Sequence, residues 1–170
     1  MIIHAIDSNP IAKMKITEAL RAEHLVFHNM LDHIETTAPK LKTLPEMKSL
    51  AALMESMLKA HSRTEDQLFI GPMEHCFEEF GQREALMREH DDMDRAWKRV
   101  RRAPRSLEAR KALLAAILQA RQHFDKEERI VYPLAERILK AETLQTLGQA
   151  WMEQRTNTSV CANCDNKVCV

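Results

Sequence analysis

One pattern occurs twice in this chain and restricts its fold more than any other feature. His61-Ser-Arg-Thr-Glu65-Asp66, followed by Phe69 and Pro72, is matched by His123-Phe-Asp-Lys-Glu127-Glu128, followed by Val131, Tyr132 and Pro133. A Glu-His pair precedes each copy, Glu23-His24 in the first half and Glu89-His90 in the second. Residues four apart share one face of an α-helix, about 5.4 Å apart along its axis. His61 and Glu65 can therefore aim at one point, as can His123 and Glu127. Each half reads as a helical hairpin with a His on its first helix and a His-x-x-x-Glu on its second. Two such hairpins pack with pseudo-twofold symmetry, which brings the two sets together on one axis.

The surrounding periodicity agrees. Ile16, Leu20, His24, Phe27, Leu31 and Ile34 recur at three- and four-residue intervals, which predicts a helix over about 12–34. The stripe Met47, Leu50, Met54, Met57, Leu58, His61, Glu65, Leu68 predicts a second over about 46–69, stopped or kinked at Gly71-Pro72. A short segment, Met73 to Phe80, reads as a helical turn. Leu86, His90, Met93, Trp97 and Val100 predict a third helix over about 82–102, ended by Ala103-Pro104. Ser106 suits the N-cap of a fourth, which carries Leu113, Ile117, Ala120, His123 or Phe124, Glu127, Ile130 and Val131. Pro133 is expected to kink it, with helix resuming to about Trp151. The expected fold is all-α: an up-down-up-down four-helix bundle with a C-terminal helical extension. The bundle is expected over residues 1–153 and a flexible, cysteine-containing tail over 154–170.

Glycine is scarce, at 3 residues, and aromatics make up 5%, while Ala, Leu, Met, Glu, Lys and Arg abound, which favours helix throughout. The 25 basic and 25 acidic residues cancel, so nothing points to nucleic acid or an acidic membrane. The basic cluster Lys98, Arg99, Arg101, Arg102, Arg105 sits at a helix end, where cations complement the dipole. No apolar run approaches the ~20 residues that span a bilayer, and Met1 to Lys15 shows no secretory signal. A cytoplasmic location is expected, with the four cysteines as thiols.

Four imidazoles and two carboxylates on apolar stripes require a common explanation. An unpaired carboxylate in a core costs several kcal/mol or takes up a proton. A pair of metal ions satisfies the charges and the lone pairs together. The candidate ligands are His24, His61, Glu65, His90, His123 and Glu127. Mixed nitrogen and oxygen donors without thiolate suit iron, manganese or zinc, and each Glu can bridge two ions.

With these residues in place, the chain resembles the hemerythrin-like, or HHE cation-binding, family over about Ile16 to Leu139. All six candidates match the family's pattern of a His on helix one, His-x-x-x-Glu on helix two, a His on helix three and His-x-x-x-Glu on helix four. Oxygen-carrying members have a His four residues after the helix-three His, where this chain has Asp94. They have an Asp five after the last His, where this chain has Glu127 four after and Glu128 five after. The variant is closer to iron–sulfur cluster repair di-iron proteins, although no counterpart of their cysteine-containing N-terminal domain is expected here. The resemblance implies two iron ions and an open coordination position that binds, senses or handles O2, NO or iron. The alternative is a redox enzyme acting on O2, peroxide or NO, or an iron donor in cluster repair.

Other residues read more plainly. His28, four after His24, reads first as a residue beside the site, with ligation in place of the missing helix-three His as the alternative, and Asp94 as a solvated acid, with a weak ligand or an orienting partner as the alternatives. Glu128 points about 100° from Glu127 and reads as surface or as a hydrogen-bond partner for another helix. Tyr132 reads first as packing, with a place near the site as the alternative, and the methionines as flexible core filler. His33 and His75 read as surface residues, and His4 carries no signal. Cys161, Cys164 and Cys169 in the tail fall one ligand short of a closed zinc site, and the Cys-x-x-Cys also suits redox exchange.

Overall fold

A computed structural model describes residues 14–73 and 82–159. Four long helices form the bundle: α1 (Ile16–Thr37), α2 (Leu44–Glu65), α3 (Gln82–Arg102) and α4 (Ser106–Lys126). Two more follow, α5 (Tyr132–Ile138) and α6 (Ala141–Ser159). There is no strand among the described residues. The segment expected as a turn at Met73 to Phe80 lies, beyond Met73, outside the described residues. So do His4, His75, Cys76 and the three tail cysteines.

Local chemistry sets the helix starts. At α2 the Thr43 hydroxyl accepts from the Glu46 N–H while Glu46 Oε2 accepts from the Thr43 N–H at 2.9 Å, and Pro45 adds a preset φ in the first turn. At α1, Glu18 Oε2 accepts from the Lys15 N–H at 2.8 Å. The expected cap at Ser106 is not observed: Arg105 is the extended residue before α4 and Ser106 is already helical.

At the two prolines that follow the repeats the chain first makes one wide, π-helical turn, Asp66–Ile70 before Gly71-Pro72, where the helix stops as expected, and Glu127–Val131 before Tyr132-Pro133. The Gly71 N–H reaches back five residues to the Asp66 carbonyl at 2.9 Å, and the Tyr132 N–H to that of Glu127. Proline has no N–H to give and its ring crowds the carbonyl four residues earlier; a wider turn accommodates both. The extra residue shifts the register. Leu68, expected inward, is only half-buried, and Phe69 and Ile70 fill the core instead. In the second half Ile130 is 52% exposed while Val131 and Tyr132 are buried. Helix then breaks at extended Leu139, a break the periodicity does not reveal.

The core has two apolar clusters. One holds Phe27, Leu31, Leu58, Met93, Trp97, Ile117 and Phe124; the other holds Ile16, Leu20, Phe69, Leu86, Val131 and Tyr132. Apart from Phe124, the first lies after His24 and His90 and before His61 and His123 along their helices. The second lies on the opposite side of each, so the six polar residues form a layer between two apolar blocks.

Helix α6 runs past the expected boundary at 153 to Ser159 and packs against α1. Leu144 is buried there, and a Cβ on Gly148 would lie 1.9 Å from the Met14 carbonyl oxygen. No described helix is long and apolar enough to cross a membrane.

Candidate metal centre

The fold brings all six sequence-predicted residues together. His24, His61, Glu65, His90, His123 and Glu127 are each buried. Their donor atoms fall into two groups, each within 4.8 Å: Glu65, His90, His123 and Glu127 in one, His24, His61 and Glu127 in the other. Glu127 belongs to both. Both groups could hold a metal ion, and the shared carboxylate places them side by side.

Each of the four imidazoles has a carboxylate on its outer nitrogen. Nδ1 of His24 lies 2.9 Å from Glu128, that of His61 2.8 Å from Glu23, that of His90 3.0 Å from Asp66 and that of His123 3.1 Å from Glu89. A carboxylate accepts, so each Nδ1 is the donor and each Nε2 faces the centre. The scheme follows the pseudo-twofold axis. The Glu before each lone His orients the His of the next helix, and the acid after each ligand Glu orients the lone His of the other hairpin. Such partners fix ring orientation and raise the basicity of a ligating histidine.

The inner atoms lack adequate partners. His24 Nε2 and His61 Nε2 approach to 3.0 Å. Burial, reinforced by neighbouring His61, pushes the His24 pKa down to about 2, so the ring is neutral and its one proton is on Nδ1. A bare lone pair therefore points at His61. Glu65 Oε2, both Glu127 oxygens, His90 Nε2 and His123 Nε2 are buried and make no well-aligned hydrogen bond, although His123 Nε2 lies 3.0 Å from Glu127 Oε1 and His90 Nε2 3.5 Å from Glu65 Oε2. Buried atoms of this kind are normally satisfied. Converging unpaired nitrogen and oxygen donors fit divalent cations.

His90 and His123 shift the other way. Burial disfavours charged His90, but Asp66, Glu127 and Glu65 around it prevail and push its pKa up to about 12. His123 rises to about 9 against its burial, through Glu127 and Glu89. Glu127 is held well below the usual carboxylate range by His123 and His90 despite its burial. Without a cation, protons on these two histidines balance the carboxylates.

Tyr132, read first as packing, belongs to the centre. Its hydroxyl donates to Glu65 Oε1 at 2.9 Å and lies 3.1 Å from His24 Nε2. Burial and the nearby Glu65 raise its pKa well above the usual phenol value, which keeps the proton in place. The remaining candidates lie outside. His28 is 36% exposed, 3.9 Å from Glu128 and edge-on to Phe124. Asp94 pairs with Lys59 and Lys98. Glu128 is a hydrogen-bond partner for α1, one of its two expected settings.

A helical bundle with a buried histidine–carboxylate layer is the architecture of a metal-binding bundle protein. Comparison with family models agrees: the hemerythrin HHE cation binding domain matches residues 15–135, with an overlapping match at 81–168. The chain belongs to this cation-binding family. No curated protein and no solved structure matches it.

Proposed function

We propose that the centre holds two iron ions and that the protein binds or senses a small diatomic ligand, O2 or NO, or handles iron. The observation that carries this reading is the set of four outward Nδ1–carboxylate bonds. They turn four Nε2 atoms onto the buried carboxylates of Glu65 and Glu127. His24 and His61 would hold one ion, His90 and His123 the other, with Glu127 between them and Glu65 beside both.

Bound iron supplies redox capability and coordination positions that six side chains leave free. The chain's own residues supply the setting. Phe27 and Phe124, with ring centroids 5.7 Å apart, form an apolar wall against His61 and His24. It restricts water on that side. The Tyr132 hydroxyl keeps a proton beside Glu65 Oε1. On the His123 side a surface groove lined by Glu89, Leu118, Gln119, Gln122 and Lys126 reaches the imidazole.

The test is to purify the protein anaerobically, measure metal per chain, and record the visible spectrum on admitting air. Two irons per chain, with a band that develops in air and is lost in His61→Ala, are expected. Stoichiometric zinc with a silent spectrum would remove the redox reading and keep the site. A chain that takes up no metal on reconstitution would overturn both.

A further inference from the structure

The two halves of the centre are nearly equivalent, but they differ in what holds the outer carboxylates. Glu89 accepts from His123 Nδ1 with one oxygen and from Lys126 Nζ at 2.6 Å with the other. Glu23 repeats this geometry. One oxygen accepts from His61 Nδ1, and the other accepts from Arg155 Nε at 2.8 Å, with the Arg155 terminal nitrogen at 2.6 Å. Lys126 immediately precedes Glu127 and belongs to the hairpin itself. The matching position before Glu65 is Thr64, whose hydroxyl donates to the Ala60 carbonyl. The first half has no cation of its own there, and α6 delivers one.

The delivery depends on how α6 is seated. Gly148 lets the helix approach the Met14 carbonyl closely, and Leu144 is buried in the second apolar cluster. Gln154 donates to Gln67 at 3.2 Å. The Arg155 guanidinium also lies 5.7 Å over the Trp151 ring. These contacts hold Arg155 against Glu23, which is itself 19% exposed.

We propose that Arg155 is a positioning residue for the metal centre: through Glu23 it sets His61, so the C-terminal helix controls the His24–His61 position and not the His90–His123 position. The inference rests on the two-ion reading above. An Arg-bound carboxylate has one oxygen fixed, which fixes the other on His61 Nδ1 and the ring with it. Losing such an outer partner costs ~10–100-fold in metal affinity.

The experiment is a Co2+ titration of the full metal-free chain, followed by ligand-field absorbance, with thermal unfolding of the same samples. Arg155→Met is expected to weaken one of two Co2+ ions about tenfold and leave the other within about twofold. Arg155→Lys should recover part of the loss, and Lys126→Met should weaken the other ion instead. In a His61→Ala background, Arg155→Met should cause no further change, because the path through Glu23 is already cut. Two ions bound with unaltered affinities in Arg155→Met would overturn the inference alone. So would equal weakening of both ions, or an undiminished effect in the His61→Ala background. A wild-type chain that takes up no Co2+ would overturn the two-ion reading and this inference with it.

Discussion

His24 and His61 meet through their Nε2 atoms at 3.0 Å, each with its far nitrogen tied to a carboxylate, Glu128 for one and Glu23 for the other. With His24 neutral and its proton on Nδ1, its Nε2 presents a lone pair to His61 Nε2. Only a shared proton or a cation makes the contact favourable. The arrangement also separates ligands that serve one position from the ligand that serves both, and this is testable.

Glu127 lies in both donor groups, whereas His90 lies in one. Glu127→Ala is expected to abolish binding at both positions, and His90→Ala to spare the His24–His61 position. Elemental analysis of reconstituted protein measures this directly. Equal loss in the two variants would contradict a shared carboxylate.

Metal uptake should release protons. In the metal-free chain His123 and His90 have pKa values raised to about 9 and about 12. Both exceed the ordinary histidine value, so their contribution to folding is complete below that value. It is lost as pH rises through about 9 and then towards about 12. Metal-free protein is therefore expected to be less stable to urea at about pH 10 than at about pH 6, while metal affinity rises over the same window. Loading at neutral pH should release about two protons per chain, measured by calorimetry in buffers of different ionisation enthalpy. No release would mean that the two rings are neutral before metal arrives.

Tyr132→Phe removes the donor to Glu65 Oε1. In metal-free protein this leaves a buried carboxylate oxygen without its partner and should cost about 1–3 kcal/mol. A bound cation satisfies Glu65 by another route, so the loss should shrink in loaded protein. Urea unfolding with and without metal compares the two; identical losses would show that Tyr132 acts by packing alone.

Gly148→Ala sets a Cβ against backbone at Met14. Neither partner is a flexible side-chain end, so α6 must shift. A cost of about 1–3 kcal/mol follows, or a fall in Tm of about 2–4 °C per kcal/mol. An unchanged Tm would mean that α6 is less tightly seated than its geometry states.

The periodicity of 3.6 was enough to locate the four bundle helices and to bring all six candidate ligands to one layer, because ligands and core share the same stripes. The partners on Nδ1 were legible too, in a less obvious form. Glu23-His24 and Glu89-His90 repeat, as do Glu65-Asp66 and Glu127-Glu128, and the neighbours are repeated because each serves a ring on another helix. Tyr132 was read first as packing for a geometric reason. It turns inward only because the wide turn at Glu127–Val131 adds a residue to the register, and that same residue turns Ile130 outward. The available signal was the proline six residues after the start of the turn in each half. The link from Arg155 to Glu23 spans 132 residues and has no local signature.

The polar layer between the two apolar clusters has a consequence for folding as well as for binding. Helices with uniform apolar stripes can slide past one another by a turn and still bury their surfaces. Here a slip of α2 or α4 by one turn would press Glu65 or Glu127 against Phe27 or Leu31 of α1 and would break the imidazole–carboxylate bonds. The hydrogen-bonded layer therefore acts as a key for helix alignment before any ion is present. The chain can assemble its cation cage in the correct frame first and leave the ion to complete it.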